Sequence, residues 1–127
     1  MDWTTILKTG LTGQRTVLVT EELTAKHLGS GSAAVFATPF MIALMEGASI
    51  DTVKPFIPDG WSTVGTRVNV SHLASTPMGQ AVRADAELVE IDRRRLVFRV
   101  TAYNGTKLIG EGTHERFIID LEKFGKT

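Results

Sequence analysis

Thr38-Pro39-Phe40-Met41-Ile42-Ala43-Leu44-Met45-Glu46-Gly47-Ala48-Ser49-Ile50 reads as one buried helix carrying a single charge. Thr38 is placed as a hydrogen-bonding cap, and Pro39 suits the first helical position, where no amide donor is needed. From Phe40 to Ile50 apolar residues fall on every side, so this helix is expected to be covered all round. The apolar run is too short to span a bilayer, so the cover must be protein. Glu46 is the anomaly, because an ionised carboxylate in a core is costly unless it is paired, hydrogen-bonded or protonated. Two readings follow: a structural ion pair with one of the eight arginines of the chain, or a catalytic base or nucleophile in a partly dry cleft.

Upstream of the helix, Trp3, Ile6, Leu7 and Leu11 mark a leading segment that packs on the body. Gln14–Val19 is β-branched enough for a first strand. Thr20–Leu28 reads as a short helix with a Thr20 cap, ended by Gly29, with His27 at its dipole-favourable end. The small residues 29–34 suit a mobile flap over a site at the Thr38 end.

Downstream, Pro55 and Pro58-Asp59-Gly60 mark a turn, after which the period changes to two. Four consecutive strands then run to Asp120, the pattern of an antiparallel meander. Val64, Thr66, Val68, Val70 and His72 form the inward face of the first, Val82, Ala84, Ala86 and Leu88 that of the second, and Leu96, Phe98, Val100 and Ala102 that of the third. Asn104-Gly105 signals a tight hairpin into the last strand, where Gly110 and Gly112 leave room for the helix or a ligand, and His114 and Arg116 share their parity. One apolar helix wrapped by a mostly antiparallel sheet defines an α+β domain.

The chain has 127 residues, with no repeat or linker, and is expected to form a single domain over 1–127. Its 14 acidic and 14 basic residues cancel, which argues against nucleic-acid binding, and Arg93-Arg94-Arg95 reads as a solvated turn. The absence of cysteine excludes disulfides and thiolate chemistry. No secretory pattern follows Met1, so the expected compartment is the cytoplasm, with no membrane association.

Four pieces carry a resemblance: Phe36-Ala37-Thr38-Pro39 leading into Glu46; Val64-Gly65-Thr66-Arg67-Val68-Asn69-Val70-Ser71-His72-Leu73; Thr76-Pro77-Met78-Gly79; and Gly110-Glu111-Gly112-Thr113-His114-Glu115-Arg116. In this order and spacing the chain, over residues 14–120, resembles the hot-dog-fold acyl-CoA thioesterases, most closely the fluoroacetyl-CoA thioesterase group. The resemblance implies a curved sheet around one long helix. It implies a catalytic set of Thr38, Glu46 and His72, with Phe36, Gly65 and Arg116 toward the substrate. It also implies acyl-CoA as substrate, no cofactor or metal, and a homodimer with sites at the interface. The 29–34 segment departs from the aromatic lid of the fluoroacetyl-specific enzyme, leaving Phe36 as its only nearby aromatic, which points to a different short or medium acyl group.

The residue chemistry is compatible with that set. Glu46 can attack a thioester carbonyl or activate water, His72 titrates near neutrality and can relay a proton, and Thr38 lies near the positive end of the helix dipole. Eight residues separate Thr38 from Glu46, about 12 Å along a helix, so one carbonyl cannot touch both within one chain. Antiparallel helices of two subunits remove that obstacle. The competing readings are a non-catalytic acyl-CoA or hydrophobic-ligand binder of the same fold, an enoyl-thioester hydratase or dehydratase, and an interaction module using the outer sheet face. The last is disfavoured by the polar run of Arg67, Asn69, Asp85, Glu87, Arg95 and Arg99 on that face.

Overall fold

A computed structural model describes residues 1–125. Its strands are β1 (Thr12–Leu18), β2 (Trp61–His72), β3 (Ala81–Asp92), β4 (Arg95–Asn104) and β5 (Lys107–Asp120), and its helices are a one-turn α1 (Ala25–Leu28) and the central α2 (Thr38–Val53). One antiparallel sheet in the order β1-β3-β4-β5-β2 lies against α2, which touches every strand.

The meander is only partly as expected. β3, β4 and β5 follow one another as hairpins, but β2 pairs with β5, so the chain crosses over between His72 and Ala81. Arg93 and Arg94 form the first hairpin turn, with Arg93 at φ 57°, and the second turn is Gly105-Thr106, one residue beyond the Asn104-Gly105 pair. The Thr20-capped helix is split. Thr20 makes no side-chain cap, and a 3-10 turn at Glu21–Leu23 is followed by α1, whose cap is the Thr24 hydroxyl accepting from the His27 amide.

The inner face follows the period-two reading through β3 and β4. Val82, Ala84, Leu88, Leu96, Phe98, Val100 and Ala102 are fully buried. In β2 the reading holds only for part of the strand. Gly65 pairs with Arg116 and Arg67 with Glu115, so Thr66 is an extra residue in a bulge that reverses the parity. Cross-strand partners share a face, so Val68, Val70 and His72 lie on the inner side with His114, Gly112 and Gly110, while before the bulge it is Gly65 that faces inward and Val64 that turns out beside exposed Phe117.

The helix is not covered all round. Met41, Leu44, Met45, Ala48 and Val53 are buried, but Pro39 and Ala43 are exposed and Ile42, Glu46 and Ile50 only half-buried, since a sheet with one inner face covers one side of a helix. The leading segment packs as expected, with Leu7 buried and Trp3 edge-on to Trp61 at 5.2 Å between ring centroids. The outer sheet face carries an ion-pair ladder in which Arg95 meets Glu90 and Glu115 at 2.7 Å and Arg99 meets Glu87 at 2.8 Å.

Close approach of α2 to β1 depends on Gly13. A Cβ there would stand 2.6 Å from the Ala48 carbonyl and 2.7 Å from the Thr52 amide, backbone atoms that cannot yield. At Gly47, in the helix, the atoms nearest to a Cβ belong to the flexible Arg15 side chain, which is paired with Asp51 at 2.9 Å on the surface. Gly13→Ala is therefore expected to destabilise the fold by about 1–3 kcal/mol through overpacking. Gly47→Ala should be near neutral, the gain in helix propensity offsetting a weak surface pair. Urea unfolding of both variants checks the contrast.

Candidate active site

Thr38 is not the cap of α2. Ala37 occupies that position without a side-chain bond, and Thr38 is the first helical residue. Its hydroxyl is free to meet another element, and Thr38 Oγ1 lies 2.7 Å from His72 Nδ1 at the end of β2. Pro39 has no N–H, and the Phe40 and Met41 amides both reach the Ala37 carbonyl at 3.0 Å. The negative charge expected to settle at this helix end is therefore offered only the Thr38 amide and hydroxyl, a narrower donor set than an open helix N-terminus presents.

The other imidazole nitrogen, His72 Nε2, is buried with no hydrogen-bond partner among the described residues. Burial lowers the His72 pKa from its ordinary value, with the Ala74 backbone acting in the opposite direction. The imidazole is thus held neutral near pH 7, with one nitrogen fixed by Thr38 and the other uncommitted, the state a proton carrier requires.

Glu46 lies elsewhere, in a second cluster with Arg116, His114, Gly65 and Thr63. The Arg116 side chain is only 6% exposed, and its Nη1 stands 3.7 Å from Glu46 Oε2, beyond hydrogen-bond reach. Arg116 donates from Nε to Thr63 Oγ1 at 2.9 Å and from Nη2 to the Thr63 carbonyl at 3.0 Å, and its Nη1 is 3.1 Å from His114 Nε2. Burial lowers its pKa and Glu46 opposes the shift; a guanidinium remains cationic at any working pH. The Glu46 side chain is more open than the sequence suggests, at 38% exposure. Gly65 makes the cluster possible, because a Cβ there would lie 2.9 Å from Glu46 Oε2.

The structure therefore brings Thr38 and His72 together, and separately Glu46, Gly65 and Arg116. Phe36 is in neither group: at 1% exposure it belongs to the core, so the exposed segment 29–34 has no aromatic of its own. Gly110 does admit the helix, since a Cβ there would strike the Met41 sulfur at 2.5 Å, whereas Gly112 faces the β2 backbone at Asn69 and Val70 instead of the helix or a ligand. Thr63 carries no signal in the sequence, whereas the parity that His114 and Arg116 share with Gly110 and Gly112 points both toward the cavity or a subunit contact, and the structure places them together in this cluster. A cavity of about 410 Å³ opens one turn beyond Glu46, among Ile50, Val53, Ile57, Trp61 and Leu121, and has Thr63 in its wall. Among the described residues no three His, Asp or Glu side chains are grouped to hold a metal ion, and no helix is long and apolar enough to cross a membrane.

Both His72 and His114 have lowered pKa values in the fold, burial being the larger cause in each. Their unfolded value is 6.5. Below it the unfolded chain binds protons that the folded chain refuses, so stability falls as pH falls from about 7 toward 5.5, above the range where unfolded carboxylates titrate. Melting temperatures across that window should decline in the native chain, and a His114→Gln variant should show a shallower decline.

Residues 19–122 match the family described as fluoroacetyl-CoA-specific thioesterase, FlK. The fluoroacetyl-CoA thioesterase of Streptantibioticus cattleyicolor is 48% identical over 90 residues, a match covering 71% of this chain and 65% of that relative's length. A solved structure of a phenylalanine-to-alanine variant of FlK, in complex with fluoroacetate and CoA, is similar at a TM-score of 0.87 and 39% identity, covering 93% of this chain and 99% of that one. A hot-dog-like protein of Thermanaerovibrio acidaminovorans, 19% identical, shares the fold alone at a TM-score of 0.86, covering 96% of this chain and 90% of its own. The fold is the hot-dog fold, and the chain belongs to the fluoroacetyl-CoA-specific thioesterase family.

Proposed function

We propose that this protein hydrolyses acyl-CoA thioesters to the free acid and CoA, acting on a short or medium acyl group. The observation that carries the reading is the 2.7 Å contact between Thr38 Oγ1 and His72 Nδ1, which orients a neutral imidazole whose second nitrogen is uncommitted. Hydrolysis forms a carbon–oxygen bond, breaks the carbon–sulfur bond and delivers a proton to the departing thiolate. His72 carries the proton, and Thr38 fixes the ring and offers donors to the carbonyl oxygen. Glu46 supplies the carboxylate, either attacking the carbonyl to form an anhydride or drawing a proton from water.

Thr38 and Glu46 lie about 12 Å apart along α2, so the proposed site takes Thr38 and His72 from one subunit and Glu46 of the partner subunit. The open stripe of Pro39, Ala43 and Glu46 on α2, and the unpaired edge of β2 with Val68 at 42% exposure, support a homodimer. A short or medium acyl chain is supported by the cavity beyond Glu46, where Ile50, Val53, Ile57, Trp61 and Leu121 are joined by Lys54 and Asp59, and by the absence of an aromatic in residues 29–34. The cysteine-free composition accords with the cytoplasm.

Release of free thiol from a panel of acetyl- through octanoyl- and aryl-CoA thioesters should be readily measured with the native chain. Glu46→Gln and His72→Ala should each lower kcat by about 10²–10⁴-fold while remaining folded. No turnover of any thioester, with retained saturable binding, would instead identify a non-catalytic acyl-CoA binder.

Mixing two inactive variants tests the shared site. In a Thr38→Ala/Glu46→Gln heterodimer one of the two sites is intact, so random reassociation should restore about a quarter of native activity. If both groups act within one chain, mixing restores none. Borohydride added during turnover separates the two routes, since only an anhydride at Glu46 is reduced to the alcohol at that side chain.

A further inference from the structure

His114 is 1% exposed, packed beside Phe98 on the inner face of β5, with both ring nitrogens engaged. Its Nδ1 is 2.8 Å from the Arg67 carbonyl, which can only accept, so Nδ1 carries the hydrogen. Its Nε2 is 3.1 Å from Arg116 Nη1, which can only donate, so Nε2 presents its lone pair. The two partners define a neutral imidazole of one tautomer. Burial and the Arg116 cation both disfavour its charging, against the Arg67 carbonyl, Glu46 and Glu115.

The consequence reaches Glu46 through Arg116. One edge of the guanidinium, Nε and Nη2, is held by Thr63, and Nη1 is the group that faces the Glu46 carboxylate at 3.7 Å. A buried cation and a carboxylate this close would gain by closing to hydrogen-bond distance. A carboxylate so engaged has its lone pairs committed and is a poorer nucleophile or base. His114 accepts from one of the two Nη1 hydrogens and, with Thr63, fixes where the guanidinium stands, and Gly65 leaves the space in which the carboxylate stands apart.

We infer that His114 is a positioning residue that holds Arg116 back from Glu46, so that the carboxylate keeps a cation nearby while its oxygens stay free for the thioester or for water. This rests on the proposed role of Glu46 and extends it: Arg116 is an orienting partner of the carboxylate, and the Arg67 carbonyl, His114 and Thr63 set where it stops.

Two substitutions separate this from a packing role. His114→Gln keeps an acceptor for Arg116 and a donor for the Arg67 carbonyl, whereas His114→Leu keeps comparable bulk and neither. Native protein and both variants, with folding checked by melting, would be compared by thiol release and by the ¹³C resonance of the Glu46 side-chain carboxyl, assigned through its loss in Glu46→Gln. His114→Leu is expected to lower kcat by up to about 10²-fold with KM changed less than about twofold, and to displace the Glu46 resonance, while His114→Gln restores both toward native. A native-like Glu46 resonance in His114→Leu, or equal displacement in the two variants, would overturn the inference. If the native chain turns over no thioester, the thioesterase reading fails, and the resonance still decides whether His114 positions the Arg116–Glu46 pair.

Discussion

The rigidity of α2 is the constraint on which the site depends. A helix fixes the separation of its residues, and Thr38 and Glu46 are held about 12 Å apart along its axis whatever the loops do. Each end of that span has its own counterpart on the sheet: His72, at the end of β2, meets Thr38, and Arg116, from β5, stands near Glu46. Thr38 with His72, and Glu46 with Arg116, thus form two separate clusters at different points along one helix. Chemistry that uses both at one carbonyl needs a second helix running the other way. The sheet leaves one surface of α2 open, where Pro39 and Ala43 are exposed and Glu46 is half-buried.

The same helix determines where side chains are missing. Its approach to β1 is set by backbone contact at Gly13, and its approach to β5 by Met41 over Gly110. At Gly65 the reason changes from packing to electrostatics, because the missing Cβ there opposes a carboxylate oxygen and a guanidinium nitrogen. Any other residue would push Glu46 or Arg116 out of place, and a buried cation displaced from its acceptors is costly. The bulge at Thr66 brings this glycine inward. Without it, the period-two alternation that puts Val68, Val70 and His72 on the inner face would turn Gly65 outward and set Thr66 opposite Arg116.

These particulars explain what could be read from the sequence. The inner faces of β3 and β4 were legible because hydrophobic alternation is a direct record of burial, and the start of α2 at Thr38-Pro39 was legible because proline tolerates few places in a helix. The bulge was not, since an extra residue is defined only against the partner strand, and the pairing of β2 with β5 was itself hidden by the crossover. Local sequence points the Thr38 hydroxyl toward capping, but its partner lies 34 residues away on His72. Thr24 and not Thr20 caps α1 because the 3-10 turn at Glu21–Leu23 ends at Thr24 and α1 begins after it, which places the Thr24 hydroxyl under the His27 amide. His114, between Thr113 and Glu115, looks like part of a solvated strand unless its alternation with Gly110, Gly112 and Arg116 is given weight.

The two readings of Glu46 prove to be less opposed than they first seem. A structural ion pair would be closed, with guanidinium and carboxylate exchanging hydrogen bonds and little of either exposed. Here the cation is buried and bonded to Thr63 and His114, while the Glu46 side chain is 38% exposed and its carboxylate stands 3.7 Å away. Such an arrangement gives the carboxylate the field of a positive charge without consuming its lone pairs. Arg116 does not need Glu46 as a hydrogen-bond partner, because its other neighbours already serve that purpose. The asymmetry of burial within the pair, more than the presence of an arginine, is what separates a carboxylate available for chemistry from one that only holds the fold together.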